Sequence, residues 1–246
     1  MDTVDPVQPV GVEGKPIGRR VFLGMLGAGA AGILWGAKAS DGLSKFLRPL
    51  TEHDSTGLTS LLPTAGRFRF YSVVGFSPHR SDTDYRLNVM GLVNNPTTLT
   101  LADLQAMPST RLVKDFQCVT GWRVPQVPWT GVKLADVLDH VGVQPSAKAV
   151  LFTSFDDTYS ESLTLDQARR GDVMVAYAME DNPISAAHGG PVRLYVAPMY
   201  GYKSCKWLES IELTAQVEPG YWEERGYDVD GWVGHSNGRD DAPTSS

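Results

Sequence analysis

Cysteine is scarce in this sequence, since only Cys118 and Cys205 occur among 246 residues. At most one disulfide can form, so a disulfide framework is excluded, and so is a zinc or iron–sulfur site built from thiols alone. The c-type haem attachment motif, Cys-x-x-Cys-His, is also missing. Any chemistry that depends on a thiol therefore depends on very few groups, with Cys118 the better placed of the two.

The chain also has fewer positively charged than negatively charged residues. The chain has 22 Lys and Arg against 28 Asp and Glu, which gives a formal net charge of −6. An acidic chain is a poor partner for nucleic acid or an anionic membrane surface, so polyanion-binding functions are disfavoured. With 42% hydrophobic and 20% charged residues, the composition is that of an ordinary globular domain able to bury a core.

One long uncharged run is present, at residues 21–37. Arg19 and Arg20 precede it and Ala37-Lys38-Ala39 follows, which is the order of parts in a twin-arginine signal with a small-residue cleavage site. We predict such a signal over residues 1–39; an uncleaved membrane anchor is the alternative, although the run is shorter than the ~20 residues usually needed to span a bilayer. The twin-arginine route exports folded proteins, often with a cofactor already inserted, and places this one in the periplasm or cell envelope.

The same run contains a Gly-x-Gly-x-x-Gly pattern at residues 27–32. This pattern binds dinucleotides only when a buried strand enters it and a packed helix leaves it. Here paired arginines precede the pattern and a cleavage site follows. Flavin or nicotinamide binding is therefore the weaker interpretation of this segment.

The rest of the chain divides into an irregular segment at 40–65, a folded domain at 66–227 and a polar C-terminal tail at 228–246. Alternating or continuous apolar residues predict strands at 86–90, 149–154 and 173–177. Capping residues and apolar spacing predict short helices at 100–107, 132–141 and 164–171. The expected fold is α+β, with mixed, mainly antiparallel sheets and short helices.

The first segment that can carry chemistry surrounds Cys118, where a strand-like run enters the turn Cys118-Val119-Thr120-Gly121-Trp122. Arg123 follows closely and would favour the thiolate that metal binding and nucleophilic attack both require. Arg123 suits an anionic substrate and suits a structural ion pair equally well. For a lone cysteine, an inert buried thiol is the plain alternative.

The second segment extends from His188 to Trp207 and gathers cations around glycines. The alternation in residues 192–196 predicts a strand that directs Arg193 away from the apolar face. Lys203 and Lys206 follow in a Gly-containing turn, so we predict a cradle for an anion. A solvated basic edge is the alternative.

In combination these motifs resemble the molybdopterin-dependent oxidoreductases of the sulfite oxidase fold. The similar stretches are Cys-Val-Thr-Gly-Trp at 118–122, Trp-Thr-Gly-Val-x-Leu at 129–134, Gly-x-Pro-x-Arg-Leu at 189–194, Tyr-Gly-x-Lys-x-x-Lys-Trp at 200–207 and Pro-Gly-Tyr-Trp-Glu at 219–223. They occur in the family's order between about residues 71 and 227. The resemblance implies an enzyme with a molybdopterin cofactor carrying molybdenum.

The resemblance also implies roles for individual residues. Cys118 would be the protein thiolate on molybdenum, with the other sulfurs supplied by the pterin. The candidate catalytic residues are Cys118, Arg123 and Tyr159. The candidate cofactor-binding residues are Cys118, Ser154, His188, Arg193, Lys203, Ser204, Cys205 and Lys206. Nothing in the sequence gives Cys205 a redox role.

The implied reaction is oxygen-atom transfer, as sulfite oxidation or as methionine sulfoxide reduction. The expected partners are the small-molecule or methionine sulfoxide substrate, a separate haem electron-transfer protein that can be membrane-bound, and the twin-arginine export machinery, with no nucleic acid. Two functions of other classes stay open: a hydrolase in which Cys118 is the nucleophile and His140 or His188 the base, and an exported binding domain without a cofactor.

Overall fold

A computed structural model describes Phe68 and residues 72–244 of the chain. The predicted signal at 1–39 and the predicted irregular segment at 40–65 lie outside these residues. Within the described part, every helix is too short or too polar to cross a membrane.

Ten strands form two sheets in the described part of the chain. The strands are β1 (Arg86–Gly91), β2 (Thr97–Thr100), β3 (Ser109–Gln117), β4 (Arg123–Lys133), β5 (Ala149–Ser154), β6 (Ser160–Thr164), β7 (Val173–Met179), β8 (Asn182–Pro183), β9 (Arg193–Val196) and β10 (Leu208–Thr214). One sheet has the order β2-β1-β10-β5-β6, and the other has β3-β4-β7-β8 with β9 also paired to β7. Among these ten strands only β1 and β10 pair in parallel, which confirms the predicted mixed and mainly antiparallel arrangement.

Three short α-helices connect these strands: α1 (Leu101–Ala106), α2 (Leu134–Val141) and α3 (Leu165–Ala168). Thr100 and Thr164 cap α1 and α3 through reciprocal side-chain and backbone hydrogen bonds, as predicted. The second helix begins two residues later than predicted, because Val132 and Lys133 pair with β7 and complete β4. It ends at Gly142, whose φ of +69° favours glycine.

Strands β7 and β9 of the second sheet are buried on both faces. Along β7 and β9, Val173, Val175 and Leu194 face the main core, which the sheets share with α2. The alternate residues, such as Met174 and Tyr195, face a second cluster rich in aromatic rings. Because this second cluster includes Phe116 and Trp122 on either side of Cys118, it forms the base on which the Cys118 turn is built.

Residues C-terminal to the predicted boundary at residue 227 pack against the domain. Val233 and Ser236 are buried, and Met199 pairs with Trp232 in an isolated β-bridge. The Tyr200 hydroxyl donates a hydrogen bond of 2.8 Å to Asp241. The polar composition of this C-terminal segment did not predict its packing, because only a few apolar and hydrogen-bonding residues hold it to the domain.

Replacing Leu138 by Ala removes a fully buried side chain from the α2 face that packs on the main core. We expect the free energy of unfolding to fall by about 2–5 kcal/mol, because a cavity remains where the side chain was. His140→Ala, on the exposed face of the same helix, is the matched control and should change it by less than about 0.5 kcal/mol. Equal losses in urea titrations of the two variants would contradict the proposed packing of α2.

Candidate functional site

Cys118 lies in a tight turn between β3 and β4. Its backbone N–H donates to the carbonyl of Trp122 at 2.9 Å, and the Gly121 N–H donates to the Cys118 carbonyl at 3.0 Å. Gly121 has a φ of +98°, which a side chain would strain. The Cys118 Sγ lies 3.2 Å from the Thr120 Oγ1, and the cysteine is partly exposed. The turn therefore holds a thiol at a fixed, accessible place.

The thiol opens into a cavity of about 280 Å³. Six of the predicted site residues line this cavity: Cys118, Tyr159, His188, Arg193, Ser204 and Lys206. The structure thus brings residues from separate segments of the chain together around one space. Arg123, Ser154, Lys203 and Cys205 are absent from its lining.

Arg193 is the most deeply buried cation of the cavity lining, with 2% of its surface exposed. Its guanidinium donates to the carbonyls of His188 at 2.6 Å and Ser204 at 2.9 Å, and lies 5.5 Å from the ring centre of Phe116. Burial lowers the pKa of Arg193 to about 10. No carboxylate of the described residues forms a salt bridge with this group. A buried cation of this kind favours an anionic ligand.

The alternation of β9 does direct Arg193 away from the main core, as predicted, but the opposite side is not solvent. It is the aromatic cluster of the second sheet, where Trp129 also lies against the guanidinium. Sequence alternation indicated the side of the strand correctly. It could not show that both sides are covered.

Lys206 and His188 accompany Arg193 in the cavity wall. The Lys206 Nζ donates to the Ala187 carbonyl at 3.1 Å, and burial, with the charge of Arg193, lowers the pKa of Lys206 to about 7. Burial also lowers the pKa of His188, and the charges of Arg193 and Lys206 add to that effect. Gly189 has a φ of +97°, and a Cβ there would lie 2.6 Å from the Lys206 Cγ, so only glycine permits this close approach.

Ser204 contributes from the turn that follows β9. Its Oγ accepts a hydrogen bond of 3.0 Å from the Val196 N–H, while its carbonyl accepts from Arg193. The turn is thereby fixed to the end of β9. The cations Arg193 and Lys206 keep their relative places as a result.

Lys203, predicted to belong to the cation cradle, lies outside the cavity lining that contains Arg193 and Lys206. Its ammonium is fully buried on another side of the turn, where it contacts Glu161 and donates to Glu223 at 2.7 Å and to the Val229 carbonyl at 2.8 Å. Its charge is therefore already compensated by carboxylates. Spacing along the turn could not distinguish the two lysines.

Ser154 and Cys205 are also directed elsewhere. Ser154 is buried at the end of β5, and its Oγ accepts a long hydrogen bond of 3.3 Å from the Asp156 N–H. Cys205 is fully buried in the main core, and burial raises the pKa of its thiol well above the usual value. Neither side chain reaches the cavity wall.

Arg123 forms an ion pair with Asp115, in line with the structural role that was the alternative to binding an anionic substrate. It donates to Asp115 at 3.3 Å, to the Gln117 side chain at 2.5 Å and to the Pro243 carbonyl at 3.3 Å. These contacts join β3, β4 and the C-terminal segment behind the Cys118 turn. The guanidinium therefore faces away from the cavity.

Tyr159, a candidate catalytic residue, lines the cavity. Its hydroxyl donates to the Tyr202 carbonyl at 2.5 Å, and its ring stacks on Tyr221 with 5.8 Å between centres. Burial raises the pKa of Tyr159 well above its usual value. The hydroxyl keeps its proton at all physiological pH values.

Sequence reasoning missed Asp156 and an aromatic wall. The Asp156 Oδ1 accepts from the backbone N–H groups of Thr158 and Tyr159, at 2.9 and 2.8 Å, whereas its buried Oδ2 has no hydrogen-bond partner in the described part of the chain. The Asp-x-Thr-Tyr sequence after a strand is a recognisable Asx-turn signal. The wall consists of Tyr202, Trp222 and Tyr227, with 5.2–5.4 Å between neighbouring ring centres.

Of the two candidate bases for a hydrolase with Cys118 as nucleophile, only one lies in the cavity. His140 is exposed on α2 and does not line the cavity, whereas His188 does. The His188 Nδ1 lies 2.9 Å from the Ser185 Oγ. His188 is therefore already oriented by a neighbouring hydroxyl.

Inorganic pyrophosphate should bind this cavity in protein made by a host that lacks the pterin pathway. Lys206 carries its charge below its pKa of about 7, so we expect binding to weaken as pH rises through that value. Arg193→Ala or Lys206→Ala should weaken it about ten- to a hundredfold, the loss of one charge-assisted hydrogen bond. Lys148→Met, which changes an exposed lysine outside the cavity, is the control. Calorimetric titration that finds equal affinities for wild type and the two cavity variants would contradict the anion site.

Comparisons with known proteins show which family the chain is similar to. The family model for the oxidoreductase molybdopterin binding domain matches residues 75–222. The chain is 34% identical over 158 residues to the uncharacterized oxidoreductase YuiH of Bacillus subtilis, a match that covers 64% of this chain and 79% of that protein. The structure resembles the sulfane dehydrogenase SoxCD from Paracoccus pantotrophus with a TM-score of 0.53 and 24% identity, over 57% of this chain and 41% of that one, which supports the fold.

Two further relatives have named activities. Sulfite oxidase of Arabidopsis thaliana is 30% identical over 177 residues, covering 58% of this chain and 45% of that protein. The protein-methionine-sulfoxide reductase catalytic subunit MsrP of Campylobacter jejuni is 26% identical over 166 residues, covering 61% and 56%. The chain thus spans about half the length of these two relatives. With a family model that matches more than half of its residues, the chain belongs to the molybdopterin-binding oxidoreductases of the sulfite oxidase family.

Proposed function

We propose that this protein transfers an oxygen atom at a molybdenum centre whose protein ligand is the Cys118 thiolate. The observation that carries the proposal is one cavity with an accessible thiol in its wall and, in the same wall, a buried arginine without a carboxylate partner among the described residues. A soft thiolate suits a redox-active metal, and buried cations suit a phosphate group. Molybdopterin offers both a metal and a phosphate.

The residues of the cavity fit this cofactor in kind. Arg193 and Lys206 would hold the phosphate, and Ser204 fixes the turn on which Lys206 lies. The buried Asp156 Oδ2 without a partner among the described residues is an acceptor of the kind that the pterin N–H groups require. A bound molybdenum cofactor would supply oxygen-atom transfer coupled to a two-electron redox change.

The chain's own groups would orient and enclose the substrate. Tyr159 keeps its hydroxyl proton, so it can donate a hydrogen bond but does not act as a base at neutral pH. Val119, next to the thiol, packs against the aromatic wall of Tyr202, Trp222 and Tyr227. Such a wall excludes water from the substrate side of the cavity.

The cavity favours a sulfoxide over sulfite as substrate. Arg123, which would attract an anion to the thiol, is turned away into an ion pair with Asp115. The wall beside Cys118 is apolar and aromatic, a surface that suits the thioether side chain of methionine sulfoxide. Sulfite is the second candidate, because Arg193 and Lys206 lie in the same cavity and would attract a small oxyanion.

We further propose that the protein is exported by the twin-arginine route and exchanges electrons with a separate haem protein. Support comes from the paired arginines before the uncharged run at 21–37 and from the absence of a Cys-x-x-Cys-His motif in this sequence. On this proposal, electrons for the two-electron reaction are exchanged with that haem protein.

Cys118→Ser tests the proposed metal ligand. We expect molybdenum to stay partly bound through the pterin while turnover falls sharply, about a hundredfold or more, because a hydroxyl is a harder and weaker ligand than a thiolate. X-ray absorption should count one sulfur fewer around the metal. Cys205→Ala, which removes the buried thiol in the main core, should leave the sulfur count unchanged. Wild-type turnover in Cys118→Ser would overturn the assignment.

Steady-state kinetics with two substrates tests the substrate preference. We expect kcat/KM for methionine sulfoxide to exceed that for sulfite, and Trp222→Ala to lower the former about tenfold by removing an aromatic contact. Arg123→Gln should affect thermal stability and leave the ratio of the two kcat/KM values unchanged. A higher kcat/KM for sulfite, lowered by Arg123→Gln, would reverse the preference.

A further inference from the structure

A cluster of three charged side chains lies behind the cavity and is not used by the mechanism above. Lys203 is fully buried, and its ammonium contacts Glu161, Glu223 and the Val229 carbonyl. The side chains of Glu161 and Glu223 are 0% and 1% exposed. Two carboxyl groups therefore share one ammonium with almost no access to water.

The charges of this cluster do not balance if both carboxyl groups are ionised. One ammonium against two carboxylates leaves a buried net charge of −1, which a low-dielectric interior strongly disfavours. One proton added to the pair makes the cluster neutral. Two carboxyl groups that share a site commonly solve the conflict in this way.

The hydrogen bonds also show where such a proton fits. The Oε1 atoms of Glu161 and Glu223 both accept from Lys203, and the Glu161 Oε1 also accepts from the Ser162 N–H at 2.8 Å. The Oε2 atoms of both are buried without a donor from any other described residue. Burial raises the pKa of Glu161 well above its usual value; the charge of Lys203 lowers it, and hydrogen bonding to Glu223 raises it further.

The cluster lies directly behind the cavity wall. Lys203 follows Tyr202, whose ring lines the cavity and lies 5.8 Å from the Lys203 Nζ. Tyr159, two residues before Glu161, lines the same cavity, and the charges of Glu161 and Glu223 contribute to the high pKa of its hydroxyl. The titratable or charged groups that face Glu161 from the elements packed around it are Lys203, Glu223, Tyr159, Tyr202 and Cys205.

We propose that Glu161 and Glu223 hold one shared proton over Lys203 and that this proton is supplied to the cavity during turnover. The inference rests on the proposed function, since reduction of a sulfoxide consumes two electrons and two protons and yields the thioether and one water. The electrons come from the haem protein. The O–H bond of Glu161 breaks and its proton passes to water in the cavity, solvent supplies the second proton, and solvent later reprotonates Glu161. Glu161 is thus a proton-holding residue behind the cavity wall that does not itself contact the substrate.

Infrared spectroscopy tests the shared proton with or without the cofactor. At pH 7 we expect wild-type protein to show the C=O band of a protonated carboxyl group, with a shift in heavy water. Glu161→Gln and Glu223→Gln should both abolish it, because either change leaves one carboxylate for one ammonium. Glu224→Gln, the exposed neighbour of Glu223, is the matched control and should retain it. A wild-type spectrum without the band would overturn the proposal.

The pH profile of turnover tests the supply of the proton in loaded enzyme. In wild type, kcat should fall as pH rises through the raised pKa of Glu161, because the proton is then lost. In Glu161→Gln, kcat should be about tenfold lower and should no longer fall at alkaline pH, with KM unchanged. The loss in kcat is smaller than for a directly positioned acid, because the proton is held behind the cavity wall. Glu224→Gln should keep the wild-type profile.

An unchanged profile in Glu161→Gln, with the infrared band present in wild type, would overturn the supply of the proton. The infrared result does not depend on the cofactor. If the protein carries no molybdenum, the proposed function fails and the supply role fails with it, whereas the shared proton is still decided by the band.

Discussion

The burial of the Arg193 guanidinium is the constraint on which the site depends. A charge at this depth is costly unless its donors are satisfied, and here they bond backbone carbonyls of His188 and Ser204 from the two loops that flank β9. One side chain therefore ties together both segments that carry the cavity's cations. The same arrangement leaves its positive charge without a carboxylate among the described residues, which makes the cavity receptive to an anion.

The fold supplies this burial by covering β7 and β9 of the second sheet on both faces. Alternate residues of β7 and β9 enter the main core and the aromatic cluster, so Arg193 and Tyr195 lie among rings rather than in water. The turn that bears Cys118 is built on the edge of that cluster. On another side of the Ser204 turn, Lys203 is neutralised by two glutamates, so neighbouring lysines of one turn serve different purposes.

The sequence allowed much of this arrangement to be predicted. Strands with strong apolar patterns and helices with capping residues were located to within a few residues, and the motifs around Cys118 and Arg193 identified the cavity. Pattern alone could not show that Lys203 faces Glu161, because those residues lie on different elements far apart in sequence. The sequence pattern also could not show that the polar C-terminal segment packs on the domain, because only a few apolar residues in it, such as Val233, make that contact.

The most direct test of the central claim is the molybdenum and pterin content of the purified protein, expressed with its N-terminal segment in a host able to make the cofactor. Elemental analysis would be paired with the fluorescence of the oxidised pterin released by acid. The proposed site predicts near-stoichiometric molybdenum and pterin, both reduced in Arg193→Ala. Protein that folds in such a host and contains neither would contradict the account.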